Sequence, residues 1–142
     1  MSFKQLGFLG GKSVLIKDCM LKDLPQLELQ SFQRSFGALL LLDRINWDDV
    51  EMRNAAGHLM SSGAQHITVN GYRADAAHHL LDEIREQRYV AGGPVIMTSS
   101  IDGPESEALE YAAVSAFPDP ASSTDMAFVL VFRLSALNVD AR

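Results

Sequence analysis

The chain has 142 residues, 47% of them hydrophobic and 21% charged, which excludes collagen-like, disordered and disulfide-scaffold classes and suffices for one self-supporting core. Lys plus Arg number 12 against 18 Asp plus Glu, a formal charge of -6. That is the reverse of the cationic footprint that phosphate backbones select, so no nucleic-acid partner is expected. The charge is uneven: residues 91–125 carry six acidic groups and no basic one. One end of the molecule should be markedly negative.

We read residues 1–142 as a single domain, with 37–134 as an α/β core and 1–36 as an N-terminal extension without a clean period. Gly7-Phe8-Leu9-Gly10-Gly11-Lys12-Ser13 is one residue short of a P-loop and has no room for a preceding strand, so it reads as a flexible segment. Ser13-Val14-Leu15-Ile16 is an additional strand, placed at an edge.

Ala38-Leu39-Leu40-Leu41-Leu42 is apolar without alternation, the pattern of a parallel strand covered on both faces. Asp48 then stands as a helix N-cap with Glu51 three residues on, and Trp47 and Met52 sit where a hydrophobic staple packs. Val50, Met52, Ala55, Ala56, Leu59 and Met60 make the apolar stripe of that helix, which Gly63 ends in the left-handed conformation.

His66-Ile67-Thr68-Val69-Asn70 alternates polar and apolar, the signature of a strand near an edge with one face less covered. A second helix runs from Asp75 to Arg88, and Pro94-Val95-Ile96-Met97-Thr98 is the third strand of the core. Asp102 and Glu105 form another capping box, opening a helix lined by Ala108, Leu109, Ala112 and Ala113. Residues 118–125 are a loop, and Met126 to Phe132 is a fourth, buried strand.

The alternation predicts an α/β three-layer sandwich with a mainly parallel sheet of four or five strands, Rossmann-like or flavodoxin-like, its four core strands ordered 2-1-3-4. Ligands in such sheets favour the crevice at the carboxyl ends of strands where the order reverses. That crevice would lie between strands 1 and 3, and its candidate ligand-binding residues are Asp43, Arg44, Asn70, Arg73, Thr98, Ser99 and Asp102. The same polar residues also serve as ordinary caps and turns.

No template for covalent or metal chemistry is met. The first strand-to-helix turn has no glycine for a dinucleotide, and no lysine follows Lys22 to complete a phosphoacceptor site. Of His58, His66, His78 and His79, His78 with Asp82 and His79 with Glu83 have i,i+4 spacing, which also describes an ordinary surface pair, and there is no H-E-x-x-H motif or Cys/His cluster. There is no G-x-S-x-G elbow, and Cys19 has no adjacent base. No cofactor, metal or catalytic residue is assigned.

The longest apolar run, Ala38 to Leu42, is far short of the roughly 20 residues that cross a bilayer, and no apolar stretch of signal-peptide length opens the chain. No membrane partner is expected. A lone Cys19 suits a reducing compartment, so a cytoplasmic location is expected.

The stretch from Phe36 to Leu134 resembles a family of small bacterial α/β proteins of uncharacterised function. The likeness rests on the order of Ala38 to Asp43, Gly63-Ala64 into His66 to Val69, Leu80-Leu81-Asp82-Glu83, and Val95 to Thr98 followed by Glu107-Ala108-Leu109. It implies a compact α/β domain and carries over no catalytic residue or substrate.

Two functions follow as expectations. The first is a non-catalytic protein-binding module, of the immunity or antitoxin sort, whose Glu105, Glu107 and Glu110 meet a basic protein. The alternative is a small-molecule-binding or enzymatic domain using the crevice named above. A homodimer is a third possibility, because Phe128 to Phe132 would need cover if it lay at a sheet edge.

Overall fold

The computed structural model describes residues 3–9, 11–29, 36–42, 47–93, 95–115 and 128–135. Six strands form one sheet: β1 (Lys4–Leu9), β2 (Lys12–Met20), β3 (Phe36–Leu42), β4 (Ala64–Gly71), β5 (Met97–Ser100) and β6 (Phe128–Ser135). Their spatial order is β1-β2-β6-β3-β4-β5. Only β1 runs antiparallel to its neighbour, β2; the other neighbouring pairs are parallel.

The helices are α1 (Asp49–Ser62), α2 (Ala74–Val90) and the short α3 (Glu105–Glu110), which continues into a π turn over Tyr111–Ser115. A 3₁₀ turn, Leu21–Gln26, follows β2. The α/β class and the dominance of parallel pairing agree with the sequence reading. The strand count and order do not.

In core-strand numbering the order is 4-1-2-3 rather than 2-1-3-4, because β5 pairs beyond β4 instead of beside β3, and β6 takes the place on the other side of β3. It is therefore neither of the doubly wound orders anticipated. The extra strands come from the N-terminal part, where residues 4–20 form a hairpin rather than a flexible segment. β2 is an inner strand between β1 and β6, not an edge. The glycines make the hairpin possible: Gly11 turns it at φ 79°, and Gly7, at φ 148°, follows the register shift between Gln5 and Gly7.

β3 explains the depth of the core. All seven residues from Phe36 to Leu42 are buried, and alternate ones face opposite ways. Ala38, Leu40 and Leu42 join a cluster with Met52, Leu59, Leu81 and Ile84 of α1 and α2, while Leu39 and Leu41 join Ala108, Ala112 and Ala113 on the other side. Each leucine withdrawn from water is worth about 1.5–3 kcal/mol, so both faces of β3 contribute.

The bounds of α1 and most of its stripe are as expected, but Val50, in the first turn, is 66% exposed and does not join the buried face. The Glu51 N–H donates to Asp48 Oδ1 at 2.8 Å, and Gly63 closes the helix at φ 115°. Trp47 and Met52 are both buried in the same cluster. At α3 the expected capping box is absent, because Pro104 occupies the N-cap and Asp102 lies before it. Burial of Ala108, Ala112 and Ala113 against β2, β3 and β6 holds this segment instead.

Two further expectations change. β4 is an inner strand between β3 and β5, and β6 is flanked by β2 and β3. Phe128 to Phe132 therefore needs no partner molecule to cover an edge. The loop at 118–125 lies outside the described residues.

Candidate functional site

The chain leaves β4 for α2 on one face and leaves β5 for α3 on the other. Their carboxyl ends thus diverge; of the described members of the expected crevice, Asn70, Arg73 and Asp102 lie at or just past those ends, while Thr98 and Ser99 lie within β5. Asp43 and Arg44 lie outside the described residues. The crevice is not between β3 and β5, because β4 separates them.

Its polar groups are largely used internally. Asn70 Nδ2 donates to the carbonyls of Ile101 at 2.8 Å and Gly103 at 3.1 Å, tying β4 to the loop after β5. Arg73 sits in the left-handed region at φ 57°. Its guanidinium lies 4.3 Å from the centre of the Trp47 ring, and Nη1 donates to Trp47 O at 3.2 Å. Trp47 Nε1 donates in turn to Tyr72 O at 3.3 Å. The indole is buried in the core cluster beside α1 and α2. Asp102 is exposed.

Thr98 and Ser99, adjacent in β5, face opposite sides. Thr98 donates to Asp82 Oδ1 and lies 3.1 Å from His78 Nε2 of α2. Asp82 also accepts from Arg85 Nε at 3.0 Å. Burial opposes ionisation of Asp82, but these donors and the nearby cations prevail and hold its carboxyl below the usual range.

Ser99 belongs to a buried layer beneath α3. Thr68 Oγ1 is 3.1 Å from His66 Nδ1 and 3.2 Å from Ser99 Oγ, which is 3.4 Å from His66 Nε2. Burial pushes the His66 imidazole down to about 4. A neutral imidazole between two hydroxyls satisfies the polar face of β4. It explains why an inner strand alternates polar and apolar residues. His58 Nε2 is 2.8 Å from Leu27 O, so three of the four histidines have structural partners. Among the described residues no group of three metal-ligating side chains occurs.

The acidic residues proposed for docking are divided. Glu105 Oε1 accepts from Arg133 Nη2 at 3.3 Å, and Arg133 Nη1 reaches Asp18 Oδ1 at 3.4 Å. Glu107 and Glu110 are exposed.

Two features were missed in the sequence. The first is the apolar outer strand β1, where Leu6 is 49%, Phe8 71% and Leu9 38% exposed. A groove of about 280 Å³ runs beside it, lined by Leu6, Phe8, Leu9, Val14 and Leu109 among others. The second is a corner cleft of about 310 Å³ where β1 starts and β2 runs on beyond it, lined by Phe3, Lys4, Ile16, Lys17, Asp18 and Arg133 among others. The available signal was a run of 17 residues without a carboxylate, holding apolar residues around glycines.

The fold and these surfaces define an α/β protein with a mixed six-stranded sheet. No family model, curated protein or solved structure matches the chain.

Proposed function

We propose that this three-layer α/β domain is a non-catalytic protein-binding module that takes an extended, basic and apolar segment of another protein along β1. The observation that carries the reading is the outer strand with Leu6, Phe8 and Leu9 exposed. An edge strand offers a row of backbone donors and acceptors, and natural sheets ordinarily protect such an edge with charges or proline. Here Lys4 is the one charged residue within Lys4–Leu9. A partner strand would pair with that backbone and lay its apolar side chains against the groove.

Charge selects the partner. Leu109 of α3 lines the groove and is followed by the exposed Glu110, in a molecule of formal charge -6, whereas the Glu107 carboxylate lies beside Gly103, away from β1. A basic segment is attracted and an acidic one repelled. This is the arrangement by which an immunity or antitoxin protein would cover a basic surface of its target. The involvement of Asn70, Arg73, Thr98 and Ser99 in internal bonds favours binding over a reaction at the β4–β5 crevice.

The test is fluorescence anisotropy with a defined peptide alternating leucine and lysine, against the same peptide with proline at alternate positions. Binding of the first alone is expected, weakened by Phe8→Glu and by Glu110→Lys substitution, and falling as salt rises. Equal binding of both peptides, or no effect of Phe8→Glu in a folded variant, overturns the reading.

A further inference from the structure

We infer that the corner cleft beside β1 binds a small organic anion, a carboxylate or a phosphate monoester attached to an apolar group. The inference is independent of the protein-docking reading. The cleft lies towards the carboxyl ends of the parallel neighbours β2 and β6, where Asp18 and Arg133 are register partners. Carboxyl ends of parallel strands are where open α/β sheets place their ligands.

Its charge departs from that of the whole molecule. The chain has four lysines and a formal charge of -6, yet Lys4 and Lys17 both line this one cleft together with Arg133. Neither lysine forms an ion pair with a described residue. Arg133 is aimed rather than saturated: Asp18 and Glu105 each engage one terminal nitrogen, at 3.4 and 3.3 Å. A guanidinium has five N–H donors, so it retains capacity for a further oxygen.

The apolar part of the lining gives the ligand its second half. Phe3 is fixed edge-on against Phe132 with ring centroids 5.8 Å apart, and Ile16 is buried beneath the cleft. A bare inorganic anion would leave this surface wet, whereas an aryl or alkyl anion covers it. Asp18 opposes the anion and competes for Arg133. It sets the sign of one variant: removal of its charge strengthens binding.

The test is a titration of the ¹⁵N-labelled full chain with phenyl phosphate, with benzoate and with neutral benzyl alcohol, followed by amide shifts. Saturable shifts at Lys4, Lys17, Asp18 and Arg133 are expected with the anions, with a dissociation constant at or below about 1 mM. Whichever anion binds more tightly identifies the head group. Joint Lys4→Gln and Lys17→Gln substitution weakens binding about tenfold, as the loss of two nearby charges in water requires. Asp18→Asn tightens it. The dispersed spectrum of each variant verifies folding. Shifts that fail to saturate, that persist unchanged without the two lysines, or that benzyl alcohol reproduces overturn the inference.

Discussion

Arg73 and Trp47 lock two connections of the sheet together: the guanidinium carbon stands 4.3 Å from the indole centre, over a ring that is 3% exposed. The residue entering α1 is thereby held to the residue entering α2. Arg73 accepts a left-handed φ of 57° to do this, a conformation that costs a non-glycine residue roughly 1–2 kcal/mol.

Trp47→Ala should therefore destabilise the fold by about 3–5 kcal/mol in urea unfolding, the range for emptying a buried aromatic site. Arg73→Ala loses the stacking and the bond to Trp47 O while keeping the backbone strain. Arg73→Gly loses the same contacts and relieves the strain, so it should be the milder change by about 1 kcal/mol. Equal losses for the two would contradict this account of φ.

Stability should depend on pH through His66. Its folded imidazole titrates near 4 because burial disfavours the cation, against 6.5 for the ordinary group. Between those values the unfolded chain binds a proton that the folded chain refuses, so stability is full above pH 6.5 and falls as pH drops towards 4. The loss attributable to this residue is on the order of 3 kcal/mol. Denaturant midpoints at pH 7 and pH 4.5 measure it, and His66→Gln should flatten the difference. A wild-type slope retained in that variant would place the effect elsewhere.

Cys19 should be a poor nucleophile. Burial pushes its thiol up to about 11, against a counteracting pull from Lys17 and a further rise from Asp23 and Asp18. At pH 8 the thiolate is then about a hundredfold scarcer than in an ordinary cysteine, and alkylation by iodoacetamide should slow accordingly. Unfolding in urea should restore the ordinary rate. Rapid native-state modification would show that the thiol is not held in this environment.

Much of the secondary structure was readable from local pattern. The unbroken run Ala38 to Leu42 identified a strand buried on both faces, and Asp48, Glu51 and Gly63 marked the bounds of α1, because capping and burial act within a few residues. The polar alternation from His66 to Asn70 misled for a physical reason. Those side chains find partners in Ser99, Ile101 and Gly103, about thirty residues away, so polarity coexists with burial. Of the expected site, Asn70 and Ser99 do share a face, but Thr98 turns to α2 and Arg73 to Trp47.

The amino-acid order by itself determined the α/β class, the caps of α1 and the acidic stretch, since each depends on periodicity or charge over short distances. Tertiary structure alone decided that β6 inserts between β2 and β3, and that residues 4–20 complete the sheet as a hairpin. Strand order is settled by which distant apolar faces close over one another, a choice that local pattern does not encode. The exposed strand and the cationic corner follow from that choice, because both exist only where β1 meets the outer side of β2.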